Sequence, residues 1–159
     1  MQQIKPFLWF DGQAEEAVDF WVSVFKDAKK GPVRHYGQSF PVEKWRGKVL
    51  TASFTLRGQE FVALNAGPEF HFTPAISFMV LCATQEEIDA YWTKLTDGGK
   101  TMACGWVTDK YGVTWQITPE TMDAMLNDPD PVKAARVMQA MMGMVKLDIA
   151  KLERARDGE

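Results

Sequence analysis

EEAVDFW, residues 15 to 21, and EEIDAYW, residues 86 to 92, are two spellings of one amphipathic helix, set apart by 71 residues (86 − 15). Each begins with two glutamates, which the dipole of a helix favours in its first turn. In the first, Ala14, Ala17, Val18, Trp21, Val24 and Phe25 fall at three- and four-residue steps; in the second, Ile88, Tyr91, Trp92 and Leu95 do so. The same offset carries Phe7 onto Phe78, in the strand candidates that precede each helix, Ile4 to Phe10 and Ala75 to Cys82. A likeness of letters that agrees with the order of elements points to a duplicated unit.

Working outward, each helix is followed by three strand candidates. In the first half these are Gly31 to Tyr36, Lys48 to Leu56 and Gln59 to Asn65, the last two joined by a tight turn at Arg57 and Gly58. The connection GQSFPVEKWRG, punctuated by Gly and Pro, has the composition of a loop that covers a cavity. In the second half Thr84 and Glu87 form a capping box, Gly98 and Gly99 end the helix, and short strands are expected at Thr101 to Ala103 and Trp106 to Thr108. The final strand lies in TDKYGVTWQITPE, residues 108 to 120. Val113, Trp115 and Ile117 alternate with Thr114, Gln116 and Thr118, so Trp115 faces a core and Gln116 the opposite side. Thr118 and Pro119 read as the cap and first residue of a helix.

The chain after residue 127 differs in kind. Asp130 and Pro131 start a helix expected to run unbroken to about Arg156, with Ala134, Met138, Met141, Val145, Ile149 and Leu152 on its stripe. Met142, Met144 and Leu147 lie off that stripe, and a second subunit would cover them, so a homodimer is expected. The organisation is thus α+β: two tandem βαβββ modules, residues 1–70 and 71–127, and a C-terminal helical extension, 128–159.

Bulk properties bound the function. The 159 residues suffice for one well-packed core, and 46% hydrophobic with 25% charged residues is ordinary globular composition. A formal net charge of -3 and a pI near 5.5 supply no basic footprint for nucleic acid or an anionic membrane. No apolar run reaches the length of a membrane span. Cys82 and Cys104 have no metal-binding spacing, and without a secretory leader they are read as reduced and the protein as cytoplasmic. Six Trp and nine Met suit a roomy pocket or an adaptable interface.

Four strings in order, PFLWFDGQAEEAVDFW, AISFMVLCATQEEIDAYWTKL, CGWVTDKYGVTWQITP and KAARVMQAMMGMVKLDIAKLERA, resemble the PhnB-like branch of the vicinal oxygen chelate superfamily. This glyoxalase, dioxygenase and drug-resistance group includes a branch carrying a 3-demethylubiquinone-9 3-methyltransferase name. The resemblance covers nearly the whole chain. It implies two βαβββ modules curving mixed sheets around a cavity, and common homodimerisation. It also implies metal ligands at three positions, which fall here on Ile4 or Lys5, on Ala75 and on Gln116. None carries the imidazole or carboxylate that such a metal takes, so no metal is expected.

What remains is a polar and aromatic rim. Gln116, Asn65, His71 and Trp106 are the candidate ligand contacts, with His71 and Cys104 as weaker catalytic candidates. His35 and His71, 36 positions apart (71 − 35), show no ligand spacing. The turn FDGQAEEA lacks the glycine-rich nest that commonly receives S-adenosylmethionine, which argues against methyl transfer. The expected function is metal-free, cofactor-free binding of a small organic molecule in a cavity between the modules. The alternative is an enzyme of the same superfamily with a divalent metal or an atypical acid–base site.

Overall fold

The computed structural model describes residues 4–159, and the chain divides into two compact units, Met1–His71 and Phe72–Glu159. The first contains β1 (Phe7–Phe10), α1 (Ala14–Val24), β2 (Lys29–His35), β3 (Val49–Leu56) and β4 (Gln59–Asn65). The second contains β5 (Phe78–Cys82), α2 (Gln85–Thr96), β6 (Lys100–Thr101), β7 (Trp106–Thr108) and β8 (Thr114–Pro119), then α3 (Met122–Leu126), α4 (Pro131–Met142) and α5 (Ile149–Asp157). Each unit forms its own four-stranded mixed sheet, in the orders β1-β4-β3-β2 and β5-β8-β7-β6. In both, the first strand pairs parallel to the last and the remaining pairs are antiparallel. The βαβββ order therefore occurs twice, and the fold is α+β.

The two copies are equivalent in topology, and their first strands and first helices begin 71 residues apart, Phe7 and Phe78 (78 − 7), Ala14 and Gln85 (85 − 14). Facing does not follow that offset: Leu8 and Phe10 are buried in the first sheet and Val80 and Cys82 in the second, so the buried positions of β1 and β5 are an even number of residues apart. In the helices the buried positions Val18 and Trp21 match Ile88 and Tyr91, an offset of 70 (88 − 18). Tyr91 thus takes the core place of Trp21, while Trp92 is half-buried.

Local chemistry explains most boundaries. Arg57 and Gly58 both have positive φ, 47° and 86°, as a type I′ hairpin turn demands. The Thr84 hydroxyl accepts from the Glu87 amide at 3.3 Å, and the Glu87 carboxylate accepts from the Ala83 amide at 3.0 Å. At α1 the cap comes from far along the chain: Asn65 at the end of β4 accepts from the Ala14 amide at 2.9 Å.

Several expectations are corrected. Ile4 to Pro6 and Ala75 to Ser77 lie outside the strands they were assigned to. Pro119 ends β8 rather than opening a helix; α3 starts at Met122, with Thr121 as its N-cap residue. The C-terminal extension is two helices, not one. Gly143 closes α4, Asp148 caps α5 by accepting from the Lys151 amide at 3.0 Å, and between them the Met144 and Val145 carbonyls accept from the amides of Cys104 and Gly105, both at 2.8 Å. A continuous helix would consume those carbonyls. Leu147 is consequently buried, 1% exposed, in a core with Met122, Met125, Val137 and Leu152, so it is not presented for a partner to cover. Met142 is 66% exposed. Among the described residues no helix is long and apolar enough to cross a membrane.

Candidate functional site

The second sheet has a core face and an open face. Val80, Val107, Trp115 and Ile117 are buried on the side of α2, fixed by the register Val80 to Ile117 and Val107 to Trp115. Gln116, one residue away on β8, points to the other side, and its cross-strand neighbours there are Met79 and Trp106. The Gln116 Nε2 donates to the Ser77 Oγ at 2.7 Å, just before β5 begins. This leaves the Gln116 Oε1 as an acceptor and the Ser77 O–H as a donor. Met79 is 56% exposed and Trp106 half-buried, so an apolar flank stands on each side of that pair. Thr108 and Thr114 share a hydroxyl contact of 3.1 Å on the same face.

Trp115 is tied into the core by its polar end. Its Nε1 donates to the Asp109 Oδ2 at 2.8 Å, while the Asp109 Oδ1 accepts from the amides of Tyr111 and Val113 at 2.9 and 3.1 Å. Asp109 is thus a buried organising side chain for the β7–β8 turn. Its position before a turn was legible; its indole partner was not.

The other candidates are placed differently. Asn65 is buried with both ends of its amide engaged, the oxygen with Ala14 N and the nitrogen with the Val49 carbonyl at 3.0 Å; its own carbonyl accepts from the Tyr36 hydroxyl at 2.6 Å. It fastens α1 to the sheet. His71 is exposed, outside any helix or strand. Cys104 is half-buried at φ 61°, its amide held by Met144. Beside it Gly105 has φ 79°, and a Cβ there would lie 2.7 Å from the Ile117 carbonyl oxygen, so only glycine lets the C-terminal segment dock against β8. Ser77 and Met79 were missed: a serine at a strand entrance and one methionine among nine carry no signal until the register brings them to Gln116.

The three positions at which the vicinal oxygen chelate resemblance implies metal ligands do not fit a metal. Ile4 is exposed, Lys5 is paired with Glu60, Ala75 lies in an irregular segment, and the Gln116 amide is turned to Ser77. Among the described residues no group of three or more His, Cys, Asp or Glu side chains is placed to hold a metal ion.

Comparison with known proteins places this arrangement. The family described as 3-demethylubiquinone-9 3-methyltransferase matches residues 2–118. A putative 3-demethylubiquinone-9 3-methyltransferase, PhnB protein, from Bacillus cereus is 39% identical, with a TM-score of 0.67 over 74% of this chain and 99% of that one. The protein PA1353 from Pseudomonas aeruginosa, 20% identical, has a TM-score of 0.65 over 76% of this chain and 98% of its own, a likeness of fold. The comparison with curated proteins gave no match.

Proposed function

Because this chain belongs to the PhnB-like 3-demethylubiquinone-9 3-methyltransferase family, we propose that it keeps that family's scaffold as a metal-free, glyoxalase-fold binder of a small organic molecule. The observation that carries this reading is the Gln116–Ser77 pair at 2.7 Å between Met79 and Trp106. One outward acceptor and one donor, flanked by a thioether and an indole, recognise a flat molecule with a complementary polar edge. No acid or base is cross-strand to Gln116, which favours binding over catalysis. The family's name describes a methyl transfer, against which stands the turn FDGQAEEA, without the glycine-rich nest that commonly receives S-adenosylmethionine.

The protein is proposed to act as a homodimer in the cytoplasm. The exposed apolar residues Val132, Met138 and Met142 of α4 support self-association, and Cys82 and Cys104, neither in a disulfide, support a reducing compartment. Native mass spectrometry of protein purified without added metal tests the whole reading. The expected species is twice the 18.0 kDa chain mass, without metal, retaining a small molecule that Gln116→Ala releases. Stoichiometric metal, lost in the same variant, would overturn it.

A further inference from the structure

The first unit contains a second feature that the Gln116 face does not use: a cavity of about 490 Å³ at the entrance to α1. Its lining includes Asp11, Glu15, His35, Lys44, Lys48 and Trp45. The volume lies within the range of small-molecule sites. The rim is built in advance. The Tyr36 amide donates to the Lys48 carbonyl at 2.9 Å, the Gly47 amide to the Tyr36 carbonyl at 3.0 Å, and the Lys48 amide to the Trp45 carbonyl at 2.9 Å. Trp45 is buried beside Tyr36, their ring centroids 5.7 Å apart, and the Lys44 Nζ stands 5.4 Å over the indole. The loop is thereby fixed around the space.

The charges around it do not cancel in pairs. Glu15 shares the Lys30 ammonium with Asp19, the two carboxylates lying 2.8 and 2.7 Å from its Nζ. Among the described residues neither Lys44 nor Lys48 has an ion-pair partner, and Asp11 has none either. Lys44 and Lys48 thus line the cavity without a carboxylate of their own, beside an unpaired Asp11 and a Glu15 that shares its cation. A single carboxylate would supply the two lysines with the partner they lack, while Asp11 and Glu15 would repel a second negative charge. Trp45 and Val49 add apolar wall.

We propose that this cavity is a second ligand site, for a small organic molecule bearing a single carboxylate, held by Lys44 and Lys48. Amide NMR shifts of the full chain, titrated with sodium benzoate against sodium chloride at equal ionic strength, test it. Saturable shifts are expected at Gly12, Gly47 and Asn65. Lys48→Gln should weaken binding by roughly tenfold, about the worth of one charge-assisted hydrogen bond. That substitution leaves the rim intact, since Lys48 holds the loop through its backbone. Asp11→Asn should tighten binding, and Gln116→Ala should leave it unchanged, which separates this site from the one on the second sheet. Shifts that stay linear in benzoate, persist unchanged in Lys48→Gln, or saturate more tightly with inorganic phosphate would overturn the proposal.

Discussion

The indole of Trp115 and the carboxylate of Asp109 meet at 2.8 Å with both residues 97% or more removed from solvent. The contact joins the strand that carries Gln116 to the turn that starts it. Removing the carboxylate leaves an indole N–H and two amides without their acceptor, each a buried donor that costs about 1–3 kcal/mol. Asp109→Ala should therefore lower stability by several such steps, and Asp109→Asn, which keeps one oxygen, by less. Trp115→Ala should lose about 3–5 kcal/mol through its cavity. Urea denaturation of the three variants checks the order; an Asp109→Ala protein as stable as the parent would show the network to be idle.

Burial in the C-terminal extension separates two residues that the sequence placed together. Leu147 fills the core under α4, whereas Met142 projects from it. Leu147→Ala is expected to cost about 2–5 kcal/mol, and Met142→Ala to stay within roughly 0.5 kcal/mol of the parent. Thermal melts at matched concentration decide it, and equal losses would mean that the extension packs differently.

The repeat, the capping box of α2 and the order of elements were legible because each rests on local chemistry: period-two alternation, a Thr84–Glu87 box, a turn at Arg57 and Gly58. The break at Gly143 was signalled but went unread. Gly143 and Asp148 are stop and start signals, but a run of methionines at helical spacing outweighed them. Facing was less accessible. A one-residue slip moves a strand's whole apolar set to its other side, and the offset that aligns the elements sets the exposed Phe7 against Phe78, which packs on Trp115. Asn65 shows a further limit. An asparagine closing a strand reads equally as a ligand contact or as a clamp, and only the distant Ala14 amide and Val49 carbonyl distinguish the two.

The extension is also held by charge. Lys146 lies 2.6 Å from Asp89 on α2, and the lysine's hydrogen bond, followed by that of Gln85, holds the Asp89 carboxyl below its ordinary value of 3.8. A carboxylate with a depressed folded-state pKa stabilises the fold above its unfolded value and loses that contribution as pH falls through the folded one. The latch should therefore persist at neutral pH and weaken only under acid, below the usual aspartate range. Carbon NMR titration of Asp89 should give a midpoint under 3.8 that rises in Lys146→Met. An unchanged midpoint would assign the shift to Gln85 instead.

Gln116 occupies the position where the vicinal oxygen chelate resemblance implies a carboxylate, and replacing it in two ways distinguishes a ligand contact from a lost metal site. Gln116→Ala removes one half-buried hydrogen bond to Ser77, so stability should move by no more than about 1 kcal/mol, while retention of the small molecule should fall. Gln116→Glu restores an anionic oxygen at that position. If the missing carboxylate were the sole defect, the variant would gain a metal. Metal affinity, however, depends on several donors held in one geometry, and neither Ile4, Lys5 nor Ala75 contributes one. Elemental analysis of Gln116→Glu purified with zinc present should find far less than one ion per chain, and its melting temperature should not rise on adding zinc. A stoichiometric ion accompanied by stabilisation would mean that other side chains supply the donors, and the metal-free reading of this face would then fail.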